Sequence, residues 1–453
     1  MRASLAMALV FFVPATAFAA GGGASAEDTA TVVALLLGVA LAYLFAHFVV
    51  DRLQRRFLVL SGFEYLLLGL LLGPTVPEID VLEDLTGLLP IIALAAGWVG
   101  LLRGMELHGE TWRNRPEGTA RIVVLHHVVP GVLVGLATYY LLWVNEAWAN
   151  YFFGHHGVES LQWREVAAAS FLLGCCAASD SAEPFDLLMS RYKIEGTLTQ
   201  RLRGCARFGD FFVIAIFGLI FCVFHPDLDG AQLRLSPTEW AVVQVGLGVV
   251  LGALFTPFLG GNESPNGRFL AMVGIITFAA GAAFFLELSP LVVNLVLGFV
   301  IVNVARTGKL MQETLASSEK PINIVLVVLA GALWRPPPLE PTVVILVLFV
   351  LLRLAGKVIG SRLAAWGVAD MRKDLWRGFL SHGEVTVAMA VSFQIVFDGP
   401  VVDLAYTVVL ASIVFHDLWS PRVLRNLLVD AGDVRREHDR SVEAAALPNE
   451  GTP

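Results

Sequence analysis

The strongest constraint on this chain is a series of apolar segments, most of them close to the length that crosses a lipid bilayer. About 20 consecutive apolar residues span the hydrocarbon core as an α-helix. The chain is 56% hydrophobic and only 15% charged, which leaves too little polar surface for a water-soluble protein of 453 residues. We therefore predict an all-α polytopic membrane protein with about 13 transmembrane helices. The predicted segments are 30–50, 57–73, 85–102, 121–144, 165–190, 200–224, 238–259, 268–287, 290–305, 321–334, 341–365, 377–397 and 403–426.

The short loops between these segments alternate in charge. Five are rich in Lys and Arg, whereas the loops at 75–86, 224–230 and 398–403 are acidic or neutral. Because Lys and Arg concentrate in cytoplasmic loops, the first segment is predicted to begin outside and the C-terminus to lie in the cytoplasm. Residues 427–453 are predicted to form a short, disordered cytoplasmic tail.

The N-terminus has the pattern of a secretory signal peptide. It combines one Arg, a short apolar run and the small-residue pattern Ala17-Phe18-Ala19. We expect residues 1–20 to be cleaved, with an uncleaved extra helix as the alternative. Residues 21–426 are then one transmembrane domain of a multi-pass protein in a bacterial inner membrane, with its mature N-terminus outside.

Two of the predicted segments are interrupted by polar residues, and they enter the membrane from opposite sides. The stretch ASDSAEP (178–184) interrupts the segment 165–190, and LSHGEVT (380–386) interrupts the segment 377–397. An even number of segments separates the two, which reverses their direction. Paired interruptions of this kind are typical of a transporter built from two inverted repeats, with its binding site where the interrupted helices cross.

The first interruption contains oxygen ligands for a cation. Pro184 lacks a backbone donor and disfavours helical geometry at Glu183. Local unwinding would free carbonyls near Ser179 and Asp180, and their side-chain oxygens would complete a set that suits a hard monovalent cation. In the alternative, the stretch only marks the cytoplasmic end of a shorter helix, with Asp180 and Glu183 in water.

Asp210 is an isolated acid at the start of a long apolar run in the segment 200–224. A carboxylate in that position titrates, pairs or binds an ion. It lies about ten residues, or roughly 15 Å, into the helix, so we expect it at mid-membrane and at the depth of Asp180. A local salt bridge to Arg207 is the alternative.

Two cations share one face of the segment 341–365. Arg353 and Lys357 are four residues apart, and cations inside a span require a partner or a cavity. We expect them near Asp210 as buried counterions. The alternative, stronger for Lys357, is that the side chain snorkels to the cytoplasmic surface.

The second interruption contains His382, Gly383 and Glu384. Gly383 permits close approach of another backbone, and His382 is a candidate pH sensor or, alternatively, a surface residue at a helix N-terminus. Other polar residues within the spans are expected to make interhelical hydrogen bonds. These are Glu64, His126, His127, Asn294, Asn303 and Asp417.

Five stretches, in order along the chain, resemble motifs of the monovalent cation:proton antiporter superfamily, which includes the sodium/proton exchangers. They are FEYLLLGLLLGP, ASDSAEP, GCARFGD, RLAGKVIG and HGEVTVAMA. The resemblance covers about 30–426. It implies a secondary active transporter that exchanges sodium or potassium for protons by alternating access, and a homodimer in which a rigid core bundle moves against a dimerisation domain.

The resemblance also implies roles for individual residues. Asp210 would carry the proton and the cation, Asp180 and Ser179 would complete the ion site, and Arg353 or Lys357 would be the buried cation. Glu384 and Gly383 match the second interrupted helix.

The chain departs from the family pattern at two positions, which leaves the transported ion and the stoichiometry open. Gly209 stands where Asn or Asp usually precedes the aspartate, and Glu183 replaces a residue that is usually apolar.

Other functions fit the sequence less well. One alternative is a channel or uniporter on the same scaffold. The other is a transporter of organic anions that uses Arg353 and Lys357. An enzyme is not expected, because the spans lack H-E-x-x-H, G-x-S-x-G and P-loop patterns. The partners expected are a monovalent cation, protons and the bilayer, with no nucleic acid, no cofactor and no metal beyond the transported cation.

Overall fold

The computed structural model describes most of the membrane domain. The described residues are 62–73, 85–109, 118–145, 147–153, 162–192, 194, 196–226, 235–259, 265–305, 307–367 and 371–434, with the isolated residues 48, 52 and 113. The predicted signal peptide (1–20), most of the first segment (30–50) and the chain after 434 lie outside them.

All regular secondary structure in these ranges is helical, which confirms the all-α fold class. The α-helices are α1 Phe63–Leu72, α2 Leu89–Met105, α3 Thr119–Tyr139, α4 Trp163–Ala178, α5 Glu183–Tyr192, α6 Thr197–Val223, α7 Pro237–Leu259, α8 Pro265–Phe285, α9 Pro290–Val304, α10 Gly308–Ala316, α11 Glu319–Ala332, α12 Leu339–Ala365, α13 Glu384–Gln394, α14 Pro400–Asp417 and α15 Ser420–Ala431. A π-helical turn, Tyr140–Val144, extends α3, and a 3-10 turn, Leu375–Gly378, precedes α13.

Among the described helices, 6 are long and apolar enough to cross a membrane. They are α3 with its π-helical turn, α6, α7, α8, α12 and α14. The pair α10 and α11, bent by 58°, together passes the same test as a broken span, and α2 and α9 are shorter apolar helices. The structure therefore has the multi-pass architecture, while the count of thirteen spans stays a prediction.

Both predicted interruptions are present. The helix α4 ends at Ala178 and α5 begins at Glu183, with Ser179 in an extended conformation between them. After the 3-10 turn that ends at Gly378, the backbone stays non-helical until α13 begins at Glu384. Each break leaves helix-end backbone groups without intrahelical partners inside the protein.

Glycines let the helices that carry charged residues approach closely. A Cβ at Gly100 of α2 would lie 2.0 Å from the carbonyl oxygen of Leu291 on α9. A Cβ at Gly356 of α12 would lie 2.5 Å from Cα of Pro130 on α3. Small residues at such crossings are the usual device of membrane helix packing. They bring Arg103 of α2 into the protein interior.

Two elements differ from the predicted organisation. The helix α10 lies between the predicted segments 290–305 and 321–334, and α15 runs past the domain boundary predicted at 426. Leu424, Leu427 and Leu428 of α15 are buried, because their spacing forms one apolar face that packs on the bundle. The first residues of the predicted tail are therefore helical.

Candidate functional site

The two interrupted segments cross each other in the interior. The hydroxyls of Ser179 and Thr386 lie 2.8 Å apart. A Cβ at Gly383 would lie 2.9 Å from Oγ of Ser181, so glycine is the residue that fits at this contact. The crossing expected of paired interruptions is therefore present in the structure.

Arg353 of α12 joins the two interrupted segments. Its side chain is fully buried and donates from Nη2 to the carbonyl of Ser179 at 2.9 Å and from Nη1 to that of Leu380 at 2.6 Å. Its Nε donates to the carbonyl of Ala177 at 3.3 Å. A cation at the C-terminal end of α4 also meets the negative end of that helix dipole.

Lys357, one turn further along α12, binds the first interruption. Its Nζ forms an ion pair with the Asp180 carboxylate and donates to the carbonyl of Ala178 at 2.7 Å. Both charged side chains are fully buried, so Lys357 does not snorkel and Asp180 does not lie in water. The carbonyls that we expected to be free for a transported cation are instead bound by the protein's own cations.

Two histidines of α3 face the other oxygen of Asp180. Nε2 of His127 lies 3.2 Å from Oδ2, and Nε2 of His126 lies 3.6 Å from the same atom. Both rings are buried. We expected these residues to make interhelical hydrogen bonds only. The signal that pointed to the site was two adjacent histidines inside an apolar span.

Asp210 lies on α6 and is 3% exposed. Its Oδ2 is 3.9 Å from Nε of Arg103, and its Oδ1 has no hydrogen-bond partner within the described part of the chain. Among the described side chains, Arg207 makes no ion pair with Asp210, so the local salt bridge is not formed. The guanidinium nearest Asp210 is thus on α2, and not on α12 as we expected.

Arg103 gathers further acids around Asp210. Its guanidinium donates to Glu106 at 2.9 Å and to Glu319 at 2.8 Å, and it also contacts the Glu384 carboxylate. Sequence reasoning missed Arg103, because it follows directly on a predicted span and was assigned to a cytoplasmic loop. The helix α2 continues past it to Met105.

Two other candidate residues lie at different parts of the crossing. His382 is buried, with Nε2 3.2 Å from the Ser412 hydroxyl and Nδ1 3.4 Å from that of Thr386, so it is not a surface residue. Glu183 is exposed at the start of α5, and its backbone N–H donates to Oγ of Ser181 at 3.1 Å. Its carboxylate does not join the groups around Asp180.

A cleft of about 190 Å³ opens beside the first turns of α6. It is lined by Glu106, Leu107, Gln200, Arg203, Gly204, Arg207 and Phe208. Of these residues, Glu106 accepts a hydrogen bond from Arg103, and Arg207 precedes Asp210 by one helical turn. The described residues contain no group of three or more His, Cys, Asp or Glu placed to hold a metal ion.

A crossing of two interrupted helices, with buried acids and cations inside a multi-pass helical protein, is the architecture of a secondary ion transporter. The chain belongs to the sodium/hydrogen exchanger family. The family model described as "Sodium/hydrogen exchanger, transmembrane" matches residues 63–426. The predicted family is confirmed, and the chain is a multi-pass integral membrane protein of the cation:proton antiporter class.

Solved structures of an archaeal antiporter have the same fold. The sodium proton antiporter MjNhaP1 from Methanocaldococcus jannaschii at pH 8 is 14% identical, with 88% of this chain and 99% of that chain covered and a TM-score of 0.56. A second MjNhaP1 structure, from electron microscopy, is 15% identical, with coverages of 92% and 98% and a TM-score of 0.52. At these identities the likeness concerns the fold alone. A search of curated proteins finds no match.

Proposed function

We propose that this protein exchanges sodium or potassium for protons by alternating access, with Asp210 as the carboxylate that carries each in turn. The observation that carries the proposal is the position of Asp210. It is buried, its Oδ1 has no hydrogen-bond partner among the described residues, and it follows by one helical turn Arg207, which lines the cleft beside α6. Membership of the exchanger family supports the same assignment.

The physical basis of exchange is the instability of a charged carboxylate in a low-dielectric interior. Asp210 must be neutralised before it crosses the barrier, either by a proton or by a cation. Because one carboxylate does not hold both, movement of one ion in one direction requires movement of the other in return. This competition makes the exchange obligatory.

The surrounding groups divide into two sets. Asp180 balances the charge of Lys357, and the carbonyl of Ser179 accepts a hydrogen bond from Arg353. These contacts hold the crossing together. Around Asp210, Arg103 acts as a tethered cation that the transported ion replaces on one side of the site.

Glu384 and Glu106 hold the Arg103 guanidinium close to Asp210. Glu183, exposed at the start of α5, is proposed as an accessory acid of the site.

The wider arrangement follows the same proposal. Residues 21–426 form one transport unit, which assembles as a homodimer in a bacterial inner membrane. Its mature N-terminus lies outside after removal of residues 1–20, and its C-terminal end, beyond α15, lies in the cytoplasm. The family match supports one transport domain over residues 63–426.

The experiment is a pH-gradient assay in proteoliposomes with sodium, potassium and lithium in turn. We expect cation-driven proton movement in the wild type and its loss in Asp210→Asn, which keeps the size of the side chain but carries no charge. The matched control is Asp398→Asn, whose carboxylate is 83% exposed and pairs with Arg335 at a loop. The control variant is expected to retain wild-type exchange.

Two results contradict the proposal. Exchange near the wild-type rate in Asp210→Asn removes Asp210 from the carrier role. Electrical currents without proton coupling in the wild type indicate a channel or uniporter, and gradient-driven uptake of an organic anion indicates the other alternative.

A further inference from the structure

The residue before Asp210 has no side chain, and the space that such a side chain needs is occupied by His127. A Cβ on Gly209 would lie 2.1 Å from Nε2 and 2.4 Å from Cε1 of His127. Heavy atoms do not approach that closely without a bond. Position 209 therefore holds a side chain only if the imidazole of His127 is absent or moves away.

We propose that His127 is a positioning residue of the exchanger, which replaces from α3 the polar side chain that position 209 lacks on α6 and fixes the Asp180 carboxylate at the crossing. The inference rests on the proposed function, because it assigns a role within that exchange site. His127 does not contact Asp210 in the structure, and it acts through Asp180.

The ring of His127 has one defined orientation. Its Nδ1 lies 2.5 Å from the carbonyl oxygen of Val123, one turn earlier on the same helix. This contact fixes the ring so that Nε2, on its other side, is the atom turned toward Asp180. Edge contacts with His126 and with Phe212, at centroid distances of 5.7 and 6.2 Å, hold the ring from two further sides.

The two oxygens of the Asp180 carboxylate face two different helices. Its Oδ1 pairs with Lys357 of α12, and its Oδ2 faces Nε2 of His127 on α3 at 3.2 Å. The backbone of Gly209 lies against the same imidazole. His127 thus fills the space between the first interruption and Gly209. A movement of Asp180 would therefore move the imidazole against the residue that precedes Asp210.

The test is a reciprocal exchange of side chains between the two positions. Gly209→Asn alone is expected to lower both the melting temperature and the exchange rate, because the new Cβ overlaps the imidazole. His127→Ala alone is expected to raise the apparent KM for the cation about tenfold, because the buried Oδ2 of Asp180 loses the imidazole nitrogen that faces it at 3.2 Å. The double variant Gly209→Asn/His127→Ala is expected to recover both properties relative to either single change.

Two controls separate positioning from a general packing defect. Gly281→Asn on α8 makes the same substitution where a Cβ meets nothing within 4 Å, and it is expected to leave exchange unchanged. His127→Gln retains a polar group near the position of Nε2, and it is expected to keep KM closer to the wild-type value than His127→Ala does. A packing role alone would not produce that order of KM values.

Additive losses in the double variant would overturn the proposal, as would equal KM values for His127→Gln and His127→Ala. If the wild type shows no exchange with any cation, the proposed function fails. In that case the melting temperatures of the same variants still decide the inference, because additivity of the two single losses would show that the side chains do not share one space.

Discussion

The ion pair between Lys357 and Asp180 allows a quantitative test of how the crossing is stabilised. Both side chains have 0% exposure, so removal of one charge leaves the other buried without its partner. Breaking a buried pair in this way destabilises a protein by about 3–5 kcal/mol. Lys357→Met removes the ammonium group but keeps most of the apolar volume of the side chain. Because two histidines still face Asp180, we expect a loss near the lower limit, about 3 kcal/mol.

The neutral double variant should be more stable than the single losses predict. Asp180→Asn alone leaves Lys357 charged, with the Ala178 carbonyl as an acceptor. In Asp180→Asn/Lys357→Met neither position of the pair keeps a charge, so we expect the combined loss to be smaller than the sum of the single losses by about 1–3 kcal/mol. At about 2 °C per kcal/mol for a chain of this size, each single change lowers the melting temperature by roughly 6 °C or more.

Thermal melts of the detergent-purified protein, followed by the fluorescence of its 10 Trp residues, give the measurement. The matched control is the exposed pair of Arg335 and Asp398, at 59% and 83% exposure, where each neutralising change is expected to cost less than about 1 kcal/mol. Strictly additive losses at the buried pair, or losses no larger than those at the exposed pair, would refute the reasoning.

Three further outcomes are expected. Arg103→Gln leaves its surrounding carboxylates without their shared cation, so the apparent KM for the transported cation should fall in proteoliposomes while the melting temperature also falls. Gly100→Ala forces α2 from α9 and should cost about 1–3 kcal/mol in melts, whereas Gly281→Ala should be neutral or stabilising; equal effects would contradict the packing argument. Arg372 binds the Asp374 carboxylate and lowers its pKa, so the pair stabilises the folded state above the ordinary pKa of about 3.9, and the stabilisation is lost as the pH falls through the lower folded value. Asp374→Asn should therefore destabilise by less than about 1 kcal/mol at neutral pH and by a smaller amount in acid; a larger loss in acid would reverse the assignment.

The architecture of the crossing could be predicted because its determinants are local. Pro184 and the polar residues around Asp180 interrupt an apolar run, and Gly383 with its neighbours does the same in the second half of the chain. The burial of Asp210 follows from the apolar residues after it. Interruptions and isolated charges of this kind are visible in any single sequence.

The partners of the charged groups were not predictable, because they depend on contacts between distant helices. Arg103 at the end of an apolar segment looks the same in sequence whether it lies in a loop or is buried. It is drawn inside by the close crossing of α2 and α9 at Gly100.

The face shared by Arg353 and Lys357 was predicted, but not which carbonyls of α4 accept from it. The relation between His127 and Gly209 is likewise absent from the sequence until the two positions are seen in contact.

The hydrogen bonds of Arg353 restrict how this transporter changes shape. One guanidinium donates to carbonyls on both interrupted segments. Separation of the segments would strip buried oxygens of their donors, at about 1–3 kcal/mol for each group left unsatisfied. In the proposed exchange cycle we therefore expect the two interrupted segments to move together as one rigid body. The sliding surface is then expected elsewhere, on the side where Arg103 contacts Glu384.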